Sequence, residues 1–379
     1  MSAIVVTGAS GFLGRRVVSL LAGHAPGARV IGIDLVPPTL DVETGTGPTP
    51  AEHQVLDLSR GPRERLRAAF DGADTVLHLA WSHTEPGGPI SLHDRAEASP
   101  NLDSLRRVLE AAEQACIRTV VHLSSSTVYG AWPDNPVPLP EDAALRPNPG
   151  FGFAVEKAEA ERMIADWADD HPTVAVAVLR PAVTIDMATV AGSAGAALNQ
   201  ALAGTRGPRP DDGGRPLQFL HVDDLAAAVV AARENGLRGV YNVAPDGWIT
   251  EDDARALAGG VARVTLPGRL ARLLARVGWD LLRTGTPKEA LPYALHPWVV
   301  ANDRLRAAGW APEYSNEEAL VHSDDRLHWG DLSPSRRQKL TLLAASFVVI
   351  ATAGAAAAAA AGLLARVRRG RPPRVRATG

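Results

Sequence analysis

Residues 7–14 read TGASGFLG, directly after the apolar run AIVV and directly before RRVVSLLAG. The first run predicts a strand and the second predicts a helix. Gly8 allows a sharp turn out of the strand, Gly11 lets the backbone approach an anion, and Gly14 lets the helix pack closely on the strand. Because the first N–H groups of a helix are unpaired and lie at its positive end, this stretch predicts a diphosphate-binding loop.

An acidic residue follows this loop at a distance typical of dinucleotide sites. The run RVIGID at 29–34 predicts a second buried strand, and it ends in Asp34, twenty residues after Gly14. A carboxylate there can accept hydrogen bonds from the adenosine ribose hydroxyls and would repel a 2′-phosphate. We therefore expect the cofactor to be NAD rather than NADP.

Composition limits the function classes. The chain has 379 residues, of which 46% are hydrophobic and 21% charged, which is typical of a globular protein with two lobes. Cys116 is the single cysteine, so no internal disulfide can form, and the eleven scattered histidines predict no metal site. From Arg336 onward there are nine basic residues and no acidic one, so the remainder carries 30 basic and 42 acidic side chains. That acidic body argues against a nucleic-acid partner.

Short apolar runs alternate with amphipathic runs of helix length through the first half of the chain. This alternation predicts an α/β fold with a doubly wound parallel sheet, whose ligands bind at the carboxyl edge of the strands. Strands are predicted at 3–7, 29–34, 53–58, 75–80, 119–124 and 174–179. Helices are predicted at 13–22, 62–70, 101–115, 153–168 and 223–234.

We divide the chain into three regions. The nucleotide-binding domain spans 1–183, and part of 215–245 completes its sheet. A smaller, mostly helical substrate lobe spans 184–332. Within that lobe, 269–283 combines a leucine-rich stripe with four arginines, which fits a helix packed on the lobe, or else a lid or a membrane-contacting helix.

The third region, 333–379, contains 26 uncharged residues at 340–365. As a helix of about 39 Å this segment could cross a bilayer. Six arginines follow it, which would place the C-terminus in the cytoplasm, where the nucleotide-binding body without a secretion signal must also stay. The segment therefore either crosses against the charge bias or lies in the membrane interface. We expect a cytoplasmic body that is membrane-associated through a C-terminal hydrophobic helix.

Several motifs in order resemble the extended or atypical short-chain dehydrogenase/reductase superfamily, in its NAD-dependent epimerase/dehydratase branch. After the opening loop and Asp34 come LDL at 56–58, HLA at 78–80, SSSTVYG at 124–130, LRP at 179–181, FLHVDDLA at 219–226, YNVA at 241–244 and AAGWAP at 307–312. The resemblance covers residues 1 to about 325. It implies a Rossmann-type fold, with Asp57 against the adenine.

The resemblance also implies which residues contact the NAD cofactor. They are Gly8, Ser10, Gly11, Phe12, Leu13, Gly14, Asp34, Asp57, Leu58, Leu79, Ala80, Trp81, Lys157, Pro181 and Val183. Members of the family often pair through two helices, which would begin near Asn101 and Phe153 here. A homodimer is therefore one expectation.

Family chemistry uses a Ser or Thr, a Tyr, and a Lys four residues after the Tyr. The hydroxyl matches Ser125 and the lysine matches Lys157, although a turn serine and a solvated helix lysine are the alternatives. Phe153 stands at the tyrosine position and has no ionisable proton. Candidate substitutes are Tyr129, residues 81–83 with His83, and a water held by Ser125.

Two function hypotheses follow. The favoured one is a membrane-associated NAD-dependent oxidoreductase or epimerase that acts on a secondary alcohol or ketone. Its small-molecule substrate would be a nucleotide sugar or a lipid-like alcohol. The alternative is a non-catalytic NAD(H)-binding sensor or regulator at the membrane, which would need no proton donor at position 153.

Overall fold

The computed structural model describes the residues 3–24, 27–37, 52–82, 99–184, 209–210, 215–257, 265–266 and 291–322. The chain separates into two compact units, 1–324 and 325–379, and every described residue lies in the first.

Seven parallel strands form the central sheet, in the order β3-β2-β1-β4-β5-β6-β10. Their bounds are β1 Ala3–Thr7, β2 Arg29–Asp34, β3 Glu52–Val55, β4 Thr75–His78, β5 Thr119–Leu123, β6 Ala175–Pro181 and β10 Gly239–Val243. Short parallel pairs are formed by β7 Val183–Thr184 with β9 Phe219–Leu220, and by β8 Arg209–Pro210 with β11 Thr265–Leu266. The prediction of a doubly wound parallel α/β sheet of Rossmann type is confirmed.

Helices connect and cover the strands. Their bounds are α1 Phe12–His24, α2 Arg63–Phe70, α3 Pro100–Gln114, α4 Gly152–Asp170, α5 Val222–Glu234, α6 Glu251–Leu257, α7 Leu291–Leu295, α8 Asp303–Ala307 and α9 Asn316–His322. A 3-10 turn, Ser126–Tyr129, follows β5.

Alternate residues of each strand feed two apolar layers, because successive side chains of a strand point to opposite faces of the sheet. In β1, Ile4 and Val6 belong to the layer that includes Val17 of α1, whereas Ala3 and Val5 belong to the layer on the other face. All five residues of β1 are buried. The continuous apolar pattern of the sequence reflects a strand that is covered on both faces.

Two predicted strands end earlier than the sequence suggested. The strand predicted at 53–58 ends at Val55, because Asp57 Oδ1 accepts the N–H groups of Ser59 and Arg60 and turns the chain. The strand predicted at 75–80 ends at His78. The apolar pattern continues past both strand ends, since the residues that follow are also buried.

The order of strands reverses between β1 and β4. Strands β2 and β3 lie on one side of β1, and strands β4, β5, β6 and β10 lie on the other. Such a switch point in the strand order opens a crevice at the carboxyl edge of the sheet.

No helix among the described residues is long and apolar enough to cross a membrane. The segment 340–365 and the leucine-rich stripe at 269–283 lie outside those residues. The C-terminal hydrophobic helix thus stays a prediction.

Close packing at the start of α1 gives a first prediction. A Cβ on Gly14 would lie 2.8 Å from Ala9 Cα and closer still to the Gly8 carbonyl oxygen, whereas a Cβ on Gly23 of the same helix would meet nothing within 4 Å. We expect Gly14→Ala to lower the free energy of unfolding by about 1–3 kcal/mol. Gly23→Ala, the matched control, should raise it by up to about 1 kcal/mol. Denaturant titration measures both values, and equal stability of the two variants would contradict the packing described.

Candidate cofactor and catalytic site

The loop after β1 contacts the loop after β4. Gly8 has φ +74°, and a Cβ on it would lie 2.8 Å from the Ala80 nitrogen. Only glycine combines this left-handed backbone with such a close approach. Its N–H donates to the Ile33 carbonyl at 2.8 Å, which ties the same turn to β2.

Helix α1 begins at Phe12. Gly11 is exposed on the turn before it, while Leu13 and Gly14 are buried beneath. The N–H groups of the first helical turn have no intrahelical acceptor. They lie beside the switch-point crevice, where a diphosphate would be held as the sequence predicts.

Asp34 closes the other side of this loop. Its Oδ2 accepts the Ser10 N–H at 2.9 Å, and its Oδ1 accepts the Leu35 N–H at 2.7 Å. The Ser10 hydroxyl donates to the Val36 carbonyl at 2.8 Å. The carboxylate is therefore fixed against the glycine loop, at the end of β2, where it can still accept ribose hydroxyls.

Asp57 lies after the neighbouring strand β3. Its Oδ1 accepts both the N–H and the hydroxyl of Ser59, at 2.8 and 2.7 Å. These hydrogen bonds lower the pKa of Asp57, although its partial burial opposes them. The carboxylate is thus ionised and oriented near the edge of the sheet at which Asp34 lies.

The remaining predicted cofactor residues follow the carboxyl ends of successive strands. Leu58 follows β3, and Leu79, Ala80 and Trp81 follow β4. Pro181 is the last residue of β6, and Val183 begins β7. The fold brings them to one edge of the sheet. A loop with glycines at its close approaches, a helix start and an oriented carboxylate fit a dinucleotide there.

Ser125 follows β5, two residues after its last residue Leu123. Its Oγ accepts the Thr127 N–H at 3.2 Å and the Thr127 hydroxyl at 2.9 Å. The side chain is partly exposed. Because both of these contacts use Oγ as an acceptor, the Ser125 hydroxyl proton can be donated to a substrate oxygen.

Lys157 is buried on α4, although lysine usually extends into solvent. Its Nζ donates to the Leu123 carbonyl at 2.6 Å and lies 3.5 Å from the centre of the Trp81 ring. The solvated-lysine alternative is therefore wrong. Burial lowers the pKa of Lys157 to about 7, against the opposing charges of Glu156 and Glu161.

Phe153 lies one helical turn before Lys157 and is partly buried. Its ring packs on Phe151 at 6.0 Å between centroids, and Phe151 packs on Tyr293 at 5.0 Å. The Tyr293 hydroxyl donates to the Thr127 carbonyl at 2.7 Å. This aromatic row joins the predicted catalytic position to α7.

Tyr129 has a structural role. Its hydroxyl donates to Asn242 Oδ1 at 2.7 Å and accepts from Arg180 at 2.7 Å, and Arg180 forms a buried ion pair with Glu161. Burial raises the pKa of Tyr129 to about 12, and Arg180 opposes that rise only in part. Tyr129 is therefore not a substitute acid, and His83 lies outside the described residues.

The sequence reasoning missed three sets of residues. One is the Glu161–Arg180–Tyr129–Asn242 network. Another is the stacked pair His78 and His122, with ring centroids 5.4 Å apart beneath Trp81. The third lines a small recess next to Val183, and includes Ser126, Arg215, Gln218 and Trp298. In the sequence, most of these residues are visible only as polar residues within apolar runs. Such a pattern does not identify the residue with which each one pairs.

The Tyr129 network gives a second prediction. We expect Tyr129→Phe to lower the free energy of unfolding by about 1–3 kcal/mol, because buried Arg180 and Asn242 each lose a hydrogen-bond partner. The matched control is Tyr241→Phe, whose hydroxyl donates to the exposed Arg238 carbonyl at 3.2 Å. That change should stay within about 0.5 kcal/mol. Chemical denaturation compares the two, and a neutral Tyr129→Phe would show that the network is unimportant.

Known proteins resemble this chain in sequence over most of its length. Residues 4–244 match the sequence model of the NAD dependent epimerase/dehydratase family. A Streptomyces 3-diazoavenalumate denitrifying reductase is 29% identical over 329 residues, which cover 82% of this chain and 96% of that protein. A Stigmatella aurantiaca 4-hydroxy-2-methyl-3-oxo-4-farnesyl-3,4-dihydroquinoline-1-oxide ketoreductase is 26% identical over 347 residues, covering 83% and 93%.

Among solved structures, the UDP-glucose 4-epimerase of Thermus thermophilus in complex with NAD has a TM-score of 0.60 and 20% identity. The match covers 85% of this chain and 98% of that one. The predicted NAD cofactor agrees with the family's NAD dependence. The family model spans more than half of the sequence, including the glycine loop, Asp34, Ser125 and Lys157. The chain therefore belongs to the NAD-dependent epimerase/dehydratase family.

Proposed function

We propose that the protein is an NAD-dependent oxidoreductase that interconverts a secondary alcohol and a ketone, alone or as one step of an epimerisation. The observation that carries this proposal is the position of Ser125 and Lys157. Ser125 follows β5, and Lys157 of α4 donates from Nζ to the carbonyl of Leu123, the last residue of β5. This is the edge of the sheet that carries the glycine loop and Asp34. A redox-active dinucleotide and a polarising hydroxyl would thus act at one place.

Each residue has a chemical task in this proposal. The first turn of α1 holds the diphosphate and Asp34 holds the adenosine ribose. When bound, NAD supplies or accepts a hydride. Ser125 donates a hydrogen bond to the substrate oxygen, and Lys157 holds the nicotinamide ribose with the N–H donors that Leu123 does not use.

The substrate is either a nucleotide sugar or a more apolar molecule. The structurally similar Thermus protein is a UDP-glucose 4-epimerase, which favours a nucleotide sugar. The Stigmatella relative is a ketoreductase of a farnesylated quinoline, which favours a lipid-like ketone. Phe153 supports the second class, since it is partly exposed and places an apolar ring where the family has a polar hydroxyl.

Two further features belong to this proposal. Membrane association through 340–365 would bring the site to lipid-like substrates. A homodimer would form through α3 and α4. The proposal also keeps the three regions of the chain, namely the nucleotide-binding domain 1–183, the substrate lobe 184–332 and the C-terminal region 333–379.

The second candidate function is an NAD(H) sensor that performs no redox chemistry. It is favoured by Phe153, because a binding protein retains the cofactor site and needs no proton donor at that position.

Cofactor binding gives a third prediction. Asp34→Asn should weaken NAD⁺ binding about 10- to 100-fold, because a charge-assisted hydrogen bond contributes roughly 1.5–3 kcal/mol. It should not weaken NADP⁺ binding, since the repulsion of a 2′-phosphate is removed. Glu52→Gln is the control, because Glu52 is exposed and paired with Arg29 on the same part of the sheet. Titration calorimetry measures the affinities of the wild type and the two variants for NAD⁺ and NADP⁺. Equal NAD⁺ affinity for Asp34→Asn and the wild type would argue against this ribose site.

Position 153 gives a fourth prediction. The wild-type chain should transfer hydride between the nicotinamide and a substrate from a panel containing UDP-glucose and an alkyl aryl ketone, followed by reduced-nicotinamide absorbance. Phe153→Tyr should raise that rate by up to about 10²-fold, the lower end of the usual contribution of a positioned acid–base group. Phe153→Leu is the control, because it alters packing without adding a proton donor. Turnover that is seen only with Phe153→Tyr would support the sensor function instead.

A further inference from the structure

The chain contains few side-chain amines. Only Lys157, Lys288 and Lys339 are lysines, against 36 arginines. Arginine stays protonated in proteins, whereas a buried lysine readily changes its pKa. Lys157 is therefore one of only three lysine amines in the sequence that can release a proton.

The position of Lys157 joins the two parts of the proposed reaction centre. Residues four apart on a helix lie on the same face, so Lys157 shares the face of α4 that carries Phe153. Its Nζ lies 2.6 Å from the Leu123 carbonyl oxygen, two residues before Ser125. The amine thus lies at the end of the strand that Ser125 follows, on the helix face where the resemblance expects a tyrosine.

The groups around the amine are mostly uncharged. The Trp81 ring, which follows β4, faces the amine, and its centre lies 3.5 Å from Nζ. From β4 and β5, His78 and His122 are both fully buried and held neutral, because burial and the charge of Lys157 lower their pKa values, that of His78 to about 3. Neither His122 ring nitrogen has a hydrogen-bond partner among the described residues.

The acidic neighbours of Lys157 already have other partners. On α4, Glu156 accepts hydrogen bonds from Ser99 and, at 3.0 Å, from Asn101. Glu161 is paired with Arg180 of β6 and accepts the Ser124 hydroxyl. The Lys157 ammonium therefore contacts the Leu123 carbonyl and the face of the Trp81 ring. No ion pair among the described residues compensates for its desolvation. This is why its pKa falls to about 7.

The tyrosines of the chain do not supply an alternative. Tyr129 and Tyr293 are buried in hydrogen bonds with Asn242 and with the Thr127 carbonyl. Tyr241 donates to the Arg238 carbonyl, and Tyr314 stacks on His221 at 3.8 Å. Each is committed elsewhere in the fold.

We propose that Lys157 is itself the acid–base residue that exchanges the proton with the substrate oxygen, in addition to holding the cofactor ribose. This inference rests on the proposed oxidoreductase function. In reduction, the carbonyl carbon takes a hydride from the reduced nicotinamide, the C=O π bond breaks, and the oxygen takes a proton from the Lys157 ammonium. Water then returns a proton to the amine. In oxidation, the neutral amine accepts the hydroxyl proton as hydride leaves the carbon.

The sign of the pH dependence follows. Reduction needs the ammonium, so its rate should fall as the pH rises through about 7. Oxidation needs the free amine, so its rate should rise over the same range. Lys157→Arg keeps the positive charge but cannot release a proton near neutral pH, so it should lose this dependence and about 10²–10⁴-fold in rate. Its affinity for NAD⁺ should change only a few-fold.

A direct test does not depend on turnover. Full-length wild-type protein with ¹³C-labelled lysine should give three Cε signals, assigned with Lys288→Arg and Lys339→Arg. The Lys157 signal should titrate with a midpoint near 7. A midpoint within about one unit of 10.4, the usual lysine value, would overturn the proposal.

The kinetic outcome separates this inference from the function on which it rests. Hydride transfer by the wild type together with a flat, slow Lys157→Arg profile supports both. Hydride transfer with the same pH profile in Lys157→Arg overturns the role of Lys157 alone. Absence of hydride transfer from the wild type with every substrate of the panel overturns both.

Discussion

The close approach of the loops that follow β1 and β4 is the constraint on which the site depends. Gly8 has a left-handed backbone conformation, and a Cβ on it would lie 2.8 Å from the Ala80 nitrogen. This contact lies where the strand order reverses, and such a switch point leaves a crevice above it. Helix α1 can then begin at the edge of the crevice and direct its unpaired N–H groups into it. Asp34 binds the Ser10 N–H and fixes the loop from the other side.

A second constraint holds the reaction side of the crevice. The buried ion pair of Glu161 and Arg180 joins α4 to β6, and Tyr129 extends it to Asn242 of β10. Removing one member of a buried pair typically costs about 3–5 kcal/mol, so these charges are retained together or not at all. Because Phe153, Lys157 and Glu161 share α4, the network that anchors the helix also sets the position of the proposed proton-exchanging amine.

The sequence predicted those features that depend on local spacing. The glycine loop, the position of Asp34 and the class of fold, a doubly wound parallel sheet, follow from turn chemistry and hydrophobic periodicity, which act over a few residues. Strand ends did not follow from the periodicity, since the apolar pattern at 53–58 continues past the turn that Asp57 makes. The environments of Tyr129 and Lys157 could not be predicted. Tyr129 depends on Asn242, 113 residues away, and Lys157 depends on a carbonyl of β5, 34 residues before it.

The central claim is that one crevice holds the dinucleotide with its nicotinamide end at Lys157. A crystal structure of the full-length protein with NAD⁺ tests it most directly. The diphosphate should lie on the backbone of Gly11 and the first turn of α1, the adenosine ribose on Asp34, and the nicotinamide ribose on Lys157. A dinucleotide bound elsewhere, or a crevice that stays empty at saturating NAD⁺, would contradict the claim.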